Sequence, residues 1–284
     1  MIPSVTDTQF ERFGSLIYRE CGIRLNDRKR TIFSSRLRRR LQATGVDDVE
    51  NYFRLVTSPT GRTELEALID TITTNETSFY RTDSHFQWFS DEFLPAFRRS
   101  RRSSGPKRLR LWSAACATGA EAYTMAFCVA AQRMYFSGWD IEIHASDISE
   151  SSLDSARRGQ FRRRVLENVP PAVRNRCFEP PEGDVYVVRP EYRKMVSFSR
   201  HNLLNRWPGE AMDCIFLRNV LIYFDQKSKQ KVLDHVVSAL RPGGFLVTGP
   251  SEGIFGMDNP LEKLTTCVYR KSLSDPASID DTKI

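Results

Sequence analysis

The periodicity of the chain changes near residue 108, and that change constrains the fold more than any other feature. From Leu109 onward, short apolar runs alternate with helical stretches. Leu109–Ala114, Ile141–Ala145, Cys214–Leu217 and Phe245–Gly249 read as strands. Residues from about Ala120 to Met134, Ser151 to Arg158 and Lys227 to Leu240 read as helices; the last carries Val232, Leu233, Val236, Val237 and Leu240 at helical spacing. Arg241-Pro-Gly-Gly244 reads as a turn. Strands alternating with helices predict an α/β domain with a doubly wound parallel sheet. In such a sheet, ligands sit outside the carboxyl ends of the strands.

Upstream of residue 108 no strand pattern occurs. Phe10, Phe13, Leu16 and Ile17 recur at helical spacing, as do Ile32, Phe33, Leu37 and Leu41. Gly45 reads as a stop. Asp47–Leu55, Glu64–Ile72 and 83–99 read as further helices. The expected organisation is a small all-α domain over 1–75, a linker and connecting helix over 76–108, the α/β domain over 109–271 and a polar tail over 272–284. Within the irregular stretch 165–200, Val185–Val188 and Met195–Phe198 are expected to pair as a small antiparallel hairpin, a β-subdomain at about 177–199 inserted in the α/β domain.

The composition is globular, with 40% apolar and 27% charged residues in 284. The longest nearly apolar stretch, Ala122–Ala131, is far short of the roughly 20 residues of a membrane span. The N-terminus has no secretory layout. Six cysteines include no CxxC pair, and four histidines show no ligand spacing. These features predict reduced thiols, a cytoplasmic location and no metal. The net charge of +7 is uneven: residues 24–40 hold eight basic side chains against Asp27 alone, and a second basic cluster runs from Arg98 to Arg110. Such clusters suit an anionic partner or a solvated helix face, and composition leaves both open.

Four segments could carry chemistry. LRLWSAACATGAEAYTMAF (109–127) is strand, loop and helix with one glycine, Gly119, at the turn. A dinucleotide fingerprint needs three glycines, so a nucleoside without phosphates fits better; an ordinary βα turn is the other reading. Asp147 ends the next strand, 28 residues after Gly119. An acid there can accept from ribose hydroxyls, and Ser146, Asp147 and Ser149 equally suit a helix N-cap. Gly119 and Asp147 together point to an adenosine-type ligand. FLRNVLIYFD (216–225) puts Arg218 and Asn219 just past a core strand, with Tyr223 a turn later; a structural ion pair is the competing reading for Arg218. TTNETSFYR (73–81) is dense in hydrogen-bonding groups: Asn75, Thr77, Ser78 and Arg81.

Taken together, these segments resemble the CheR family, the chemotaxis receptor glutamate methyltransferases. TTNETSFYR is similar to the family's TTNxTxFFR, WSAACATGAEAYT to its WSAxxSTGEEPYS, and HASDIS to its ATDID-like strand end; HNLL, FLRNVLIYFD and LRPGGFLVTGPSEG follow in order, from about Phe10 to Lys271. The resemblance implies a basic helical N-terminal domain and a Rossmann-like domain for S-adenosylmethionine, with a small inserted β-subdomain. It implies cofactor contacts at Asn75, Thr77, Arg81, Glu121, Asp147, Asn202, Leu203, Arg218 and Asn219. Asp147 would hold the ribose, and Arg81 suits the methionine carboxylate. Glu121 would bind the ammonium group or a ribose hydroxyl, and the segment at Asn202 and Leu203 would read the adenine edge. The family's Gly-Glu-Glu-Pro is Gly119-Ala120-Glu121-Ala122 here and Ala117 replaces a serine. Binding is expected to survive because Glu121 remains.

The implied reaction moves a methyl group from S-adenosylmethionine to a glutamate carboxylate, leaving a methyl ester and S-adenosylhomocysteine. Arg218 and Tyr223 are the expected catalytic pair, with Tyr223 orienting the carboxylate. Arg36, Arg39 and Arg40 are expected to dock the acidic cytoplasmic methylation helices of chemoreceptors. The chain is expected to act as a monomer, without nucleic acid, membrane insertion or metal. Some family members use the β-subdomain to grip a peptide at the receptor C-terminus, through a longer glycine-bearing turn. The short, proline-stiffened Phe178-Glu-Pro-Pro-Glu-Gly183 predicts independence from that tether. The competing classes are a nucleic-acid methyltransferase, which the basic charge allows, and a non-catalytic module that senses the cofactor.

Overall fold

A computed structural model describes residues 5–26, 30–73, 75–101, 107–254 and 256–273. Arg28 and Lys29 of the first basic cluster, part of the second, and the tail from 274 lie outside the described residues. The chain divides into two compact units, Met1–Thr74 with Ile222–Lys231 and Asn75–Leu221 with Val232–Ile284.

The first unit is built on four helices: α1 (Asp7–Cys21), α2 (Arg30–Thr44), α3 (Val49–Thr57) and α4 (Arg62–Ile72). Thr6 and Gln9 form a reciprocal capping box at the start of α1, and Asp48 caps α3. Phe10, Phe13, Leu16 and Ile17 of α1 are buried with Phe33, Leu37 and Leu41 of α2. Ile32, by contrast, is exposed. Gly45 ends α2 with φ +70°.

The second unit begins with α5 (Asp83–Trp88), a single π turn over Phe89–Phe93, and α6 (Leu94–Ser100). The expected single helix over 83–99 is thus one rod with a local slip. Pro95 lies at the start of α6, where its missing N–H and its ring would disrupt an uninterrupted α ladder. There follow β1 (Arg108–Ala114), α7 (Ala120–Ala131), β2 (Asp140–Asp147), α8 (Glu150–Arg158), β3 (Gln160–Arg162), α9 (Pro171–Cys177), β4 (Val185–Val187), α10 (Pro190–Arg193), β5 (Val196–Arg200), β6 (Met212–Leu217), α11 (Gln226–Ala239), β7 (Leu240–Thr248), β8 (Leu261–Lys263) and β9 (Val268–Lys271). The sheet order is β5-β2-β1-β6-β7-β9-β8. The first five strands are parallel, and β9 and β8 add antiparallel at one edge. The winding reverses between β1 and β6, which opens a crevice at their carboxyl ends.

The structure corrects three expectations. Val196–Arg200 does not pair with Val185–Val187; it joins the main sheet as β5, parallel to β2 from Ile143↔Val196 to Asp147↔Arg200. The partner of β4 is β3, at Phe161↔Tyr186. The inserted β-element therefore begins earlier than expected, at Gln160, and ends near Val188, while Val196–Arg200 covers the edge of β2. The turn expected at 241–244 is an irregularity within β7, where the register shifts between Met212 and Cys214. The segment 222–231 groups with the helical unit, in which Tyr18 Oη donates to Asp225 Oδ2 at 2.9 Å and Ile23 bridges to Phe224.

Phe79, in the 73–81 segment, is fully buried. Its ring stacks on Phe127 of α7 at 5.7 Å and meets Phe161 and Phe178 edge-on at 4.8 and 5.2 Å. That contact fixes the segment onto α7 and the small β-element. All six cysteines are buried and free. Among the described residues, no helix is long and apolar enough to cross a membrane, and no cluster of three or more His, Cys, Asp or Glu is arranged to hold a metal.

Candidate functional site

Three loops converge on the crevice at the carboxyl ends of β1, β2 and β6. The loop after β1 turns at Gly119, which has φ +87°. A Cβ there would meet Ala156 at 2.9 Å and Phe198 at 3.1 Å, so only glycine fits. Ala115 and Ala117 also adopt left-handed φ, +63° and +49°. The loop is held by Asp147 at the end of β2: its Oδ2 accepts from the Ala117 N–H at 2.8 Å and its Oδ1 from Ser149 N–H at 3.0 Å. The N-cap of α8 is Ser149, whose hydroxyl accepts from Ser152 N–H at 3.1 Å. Asn75 Nδ2 donates to the same hydroxyl at 3.1 Å, which brings the 73–81 segment to the end of β2.

Glu121 lies in the first turn of α7, and Arg218 follows β6. Glu121 Oε1 accepts from Ser113 Oγ at 2.8 Å, and Oε2 pairs with Arg218 Nη1 at 2.9 Å. The Arg218 side chain is 1% exposed. Its Nη2 donates to the Arg81 carbonyl, its guanidinium lies 5.4 Å from the centre of the Phe86 ring, and its Nε is buried without a hydrogen-bond partner. Burial pushes the Glu121 carboxyl pKa up, and Arg218 and Ser113 oppose that. The structural ion pair left open for Arg218 is therefore present. It joins the β1, β6 and 73–81 elements around the crevice.

The other expected site residues fall as follows. Arg81 Nη1 donates to the Glu76 carbonyl at 3.0 Å. Thr77 is half-buried on the same segment. Asn202 Oδ1 accepts from Leu204 N–H at 3.0 Å, an Asx turn; the buried Leu203 offers its carbonyl to His235 Nδ1 at 3.3 Å. Asn219 has φ +60°. Tyr223 lies in a 3-10 turn, Leu221–Tyr223, and groups with the helical unit. Of the docking arginines, Arg39 is exposed, and Arg36 and Arg40 are half-buried. Arg36 Nη1 caps the Ile72 carbonyl at 2.7 Å, and Arg40 makes a two-point pair with Glu64 at 2.9 and 2.6 Å. Arg36 and Arg40 thus hold α4 onto α2, a task the charge run alone does not reveal.

Glu252, in the LRPGGFLVTGPSEG segment, is a candidate beyond the expected site residues. It is 3% exposed and lies just past β7. Its Oε2 accepts from Gly249 N–H at 3.0 Å and from Asn219 N–H, and its Oε1 from Leu221 N–H at 2.6 Å. The signal in the sequence is its place at the end of that segment, in the turn after a strand that neighbours β6. The five non-glycine residues with left-handed φ among those described are Tyr80, Thr82, Ala115, Ala117 and Asn219. Ala115 and Ala117 sit in the loop after β1, Asn219 just past β6, and Tyr80 and Thr82 at the approach to α5.

Two family models match consecutive parts of the chain. Residues 8–73 match the CheR methyltransferase all-alpha domain, and residues 75–270 the CheR methyltransferase SAM binding domain. The chemotaxis protein methyltransferase of Escherichia coli is 37% identical over 95% of this chain and 92% of its own length. That of Salmonella typhimurium is 38% identical over 95% and 92%. That of Borreliella burgdorferi is 31% identical over 95% and 96%.

His85 offers a test of how dry the crevice floor is. Burial, with Arg218 nearby, pushes its imidazole down from 6.5 to about 4. The depressed value means that its neutral form contributes stability above pH 6.5, lost as pH falls toward 4. Wild type should therefore lose roughly 2–3 kcal/mol more than His85→Gln between those limits. Denaturant unfolding at several pH values measures this, and parallel curves would contradict it.

Proposed function

The chain belongs to the CheR methyltransferase family, and on that footing we propose that it methylates glutamate side-chain carboxylates of chemoreceptors, giving a methyl ester and S-adenosylhomocysteine for sensory adaptation. The observation that carries this reading is the crevice at the winding reversal, ringed by Asp147 and the Glu121–Arg218 pair, inside the segment matched to the SAM binding domain. A nucleic-acid substrate is not favoured, since the named relatives are chemotaxis methyltransferases.

The residues present fit S-adenosylmethionine. Asp147 stands at a strand end, oriented by two backbone N–H groups, where ribose hydroxyls are commonly held. The orphaned, buried Arg218 Nε is a donor aimed at no protein atom, and Arg81 supplies a second guanidinium for the methionine carboxylate. Asn75, Thr77 and Asn219 line the same loops, and the segment at Asn202 and Leu203 would take the adenine edge. Glu121, paired with Arg218, would take the ammonium group or a ribose hydroxyl.

When bound, S-adenosylmethionine supplies an electrophilic methyl group on a sulfonium. That methyl group would pass to a carboxylate oxygen, with the C–S electron pair left on sulfur, and the residues named above would hold the two partners in line. A glutamate of pKa about 4.3 is already ionised at pH 7, so no general base is needed. The protein's contribution is in-line positioning, which can supply roughly 7–11 kcal/mol at best. Arg218 shapes the floor of the crevice, and Tyr223 orients the incoming carboxylate. Arg39, with Arg36 and Arg40 behind it, forms the face that attracts the acidic receptor helix. The turn at Gly183 is closed by Glu182 and Val185 exchanging two bonds of 3.1 Å, and Pro180-Pro181 precede it. This short turn supports independence from a receptor tether. A cytoplasmic location and a monomeric state complete the proposal.

Incubation with methyl-labelled S-adenosylmethionine and chemoreceptor membranes, followed by mild alkali, should release volatile labelled methanol. Alkali-stable label would refute carboxyl methylation. In the same assay Tyr223→Phe should slow turnover with cofactor affinity kept; full turnover would dismiss its hydroxyl.

Charge reversal at Arg39 should raise the apparent KM for receptor several-fold without moving the melting temperature. Arg40→Glu should lower the melting temperature through repulsion with Glu64. An unchanged KM in the Arg39 variant would remove the docking role. A titration with receptor C-terminal peptide should show no micromolar binding, and micromolar affinity would overturn tether independence.

A further inference from the structure

We propose that Glu252 is a positioning residue for methyl transfer, its buried carboxylate setting the backbone of the Arg218–Leu221 turn. The inference rests on the methyltransferase reading above and adds a residue to its machinery. β6 and β7 are parallel neighbours, so their carboxyl ends emerge side by side. After β7 the chain turns at once, with Glu252 N–H donating to the Gly249 carbonyl at 3.0 Å. The side chain then folds back over its own turn. One oxygen receives Gly249 N–H at 3.0 Å and Asn219 N–H, and the other receives Leu221 N–H at 2.6 Å. A carboxylate accepting backbone N–H groups makes charge-assisted bonds, stronger than neutral ones. Here they tie two loops that no ladder hydrogen bond connects.

The tie has a conformational consequence. Asn219 is at φ +60°, the left-handed region that asparagine enters more readily than other non-glycine residues, and the Glu252 carboxylate receives its N–H in that conformation. Arg218 is the preceding residue. Its side chain reaches Glu121 Oε2 at 2.9 Å and the Arg81 carbonyl from that turn. Gly249 is part of the same device. A Cβ at Gly249 would come within 2.3 Å of Glu252 Oε2 and 3.2 Å of the Asn219 nitrogen. Glycine there leaves the space into which the carboxylate nests. A buried acid that accepts from three backbone N–H groups of these loops is placed to fix them.

Glu252→Gln keeps the shape and turns an NH2 toward a backbone N–H. It should weaken S-adenosylhomocysteine binding at least tenfold by calorimetry and lower kcat, with the KM for receptor unchanged, well below its melting temperature. Gly249→Ala, which pushes a methyl group into the carboxylate, should reproduce the same split from the other loop. It carries the test if Glu252→Gln does not fold. Lowered melting temperatures with wild-type cofactor affinity and kcat in both variants would make Glu252 merely structural and overturn the inference. Wild type that fails to bind S-adenosylhomocysteine would instead overturn the methyltransferase reading on which it rests.

Discussion

The buried ion pair of Glu121 and Arg218 is the interaction on which the α/β unit depends. Each charge alone would be costly in a water-excluded floor, and each compensates the other. Ser113 and the Arg81 carbonyl take up further bonding capacity, so the pair is a small network. Its members come from β1, α7, the exit of β6 and the 73–81 segment. The pair thereby sets the separation of the elements on either side of the winding reversal, where a parallel sheet opens its crevice.

Around that pair, two acids hold backbone amides. Asp147 holds the Ala117 amide, and Glu252 holds the Asn219 and Leu221 amides. Both amides at the strained positions belong to residues with left-handed φ. The design concentrates strain in the loops and stabilises it with charge-assisted hydrogen bonds. Such rigidity suits a displacement that needs alignment and no proton transfer.

The helical spacing of Phe10, Phe13, Leu16 and Ile17 and the strand–helix alternation after residue 108 were legible because burial follows periodicity. The loops at 75–81, 115–121 and 218–219 were legible through motif order and resemblance. Pairing was not: Val196–Phe198 alternates as well in a hairpin as at the edge of β2, and the partner is chosen by long-range contacts. Charge runs hid which arginines were already engaged. Arg36 and Arg40 look like Arg39 in sequence, and only the Ile72 carbonyl and Glu64 separate them. Glu252 was legible only as part of the LRPGGFLVTGPSEG segment, because a carboxylate bonded to backbone amides has no side-chain partner to spot. The grouping of 222–231 with the helical unit was invisible for a similar reason, since a bridge from Ile23 to Phe224 spans two hundred residues.

The most direct measurement is a crystal structure of this chain with S-adenosylhomocysteine. The account predicts the adenosine at the carboxyl ends of β1 and β2, its ribose on Asp147, and the homocysteine carboxylate against the guanidinium of Arg81 or Arg218. An occupied ligand elsewhere in the fold, with Asp147 and the Glu121–Arg218 pair untouched, would contradict it.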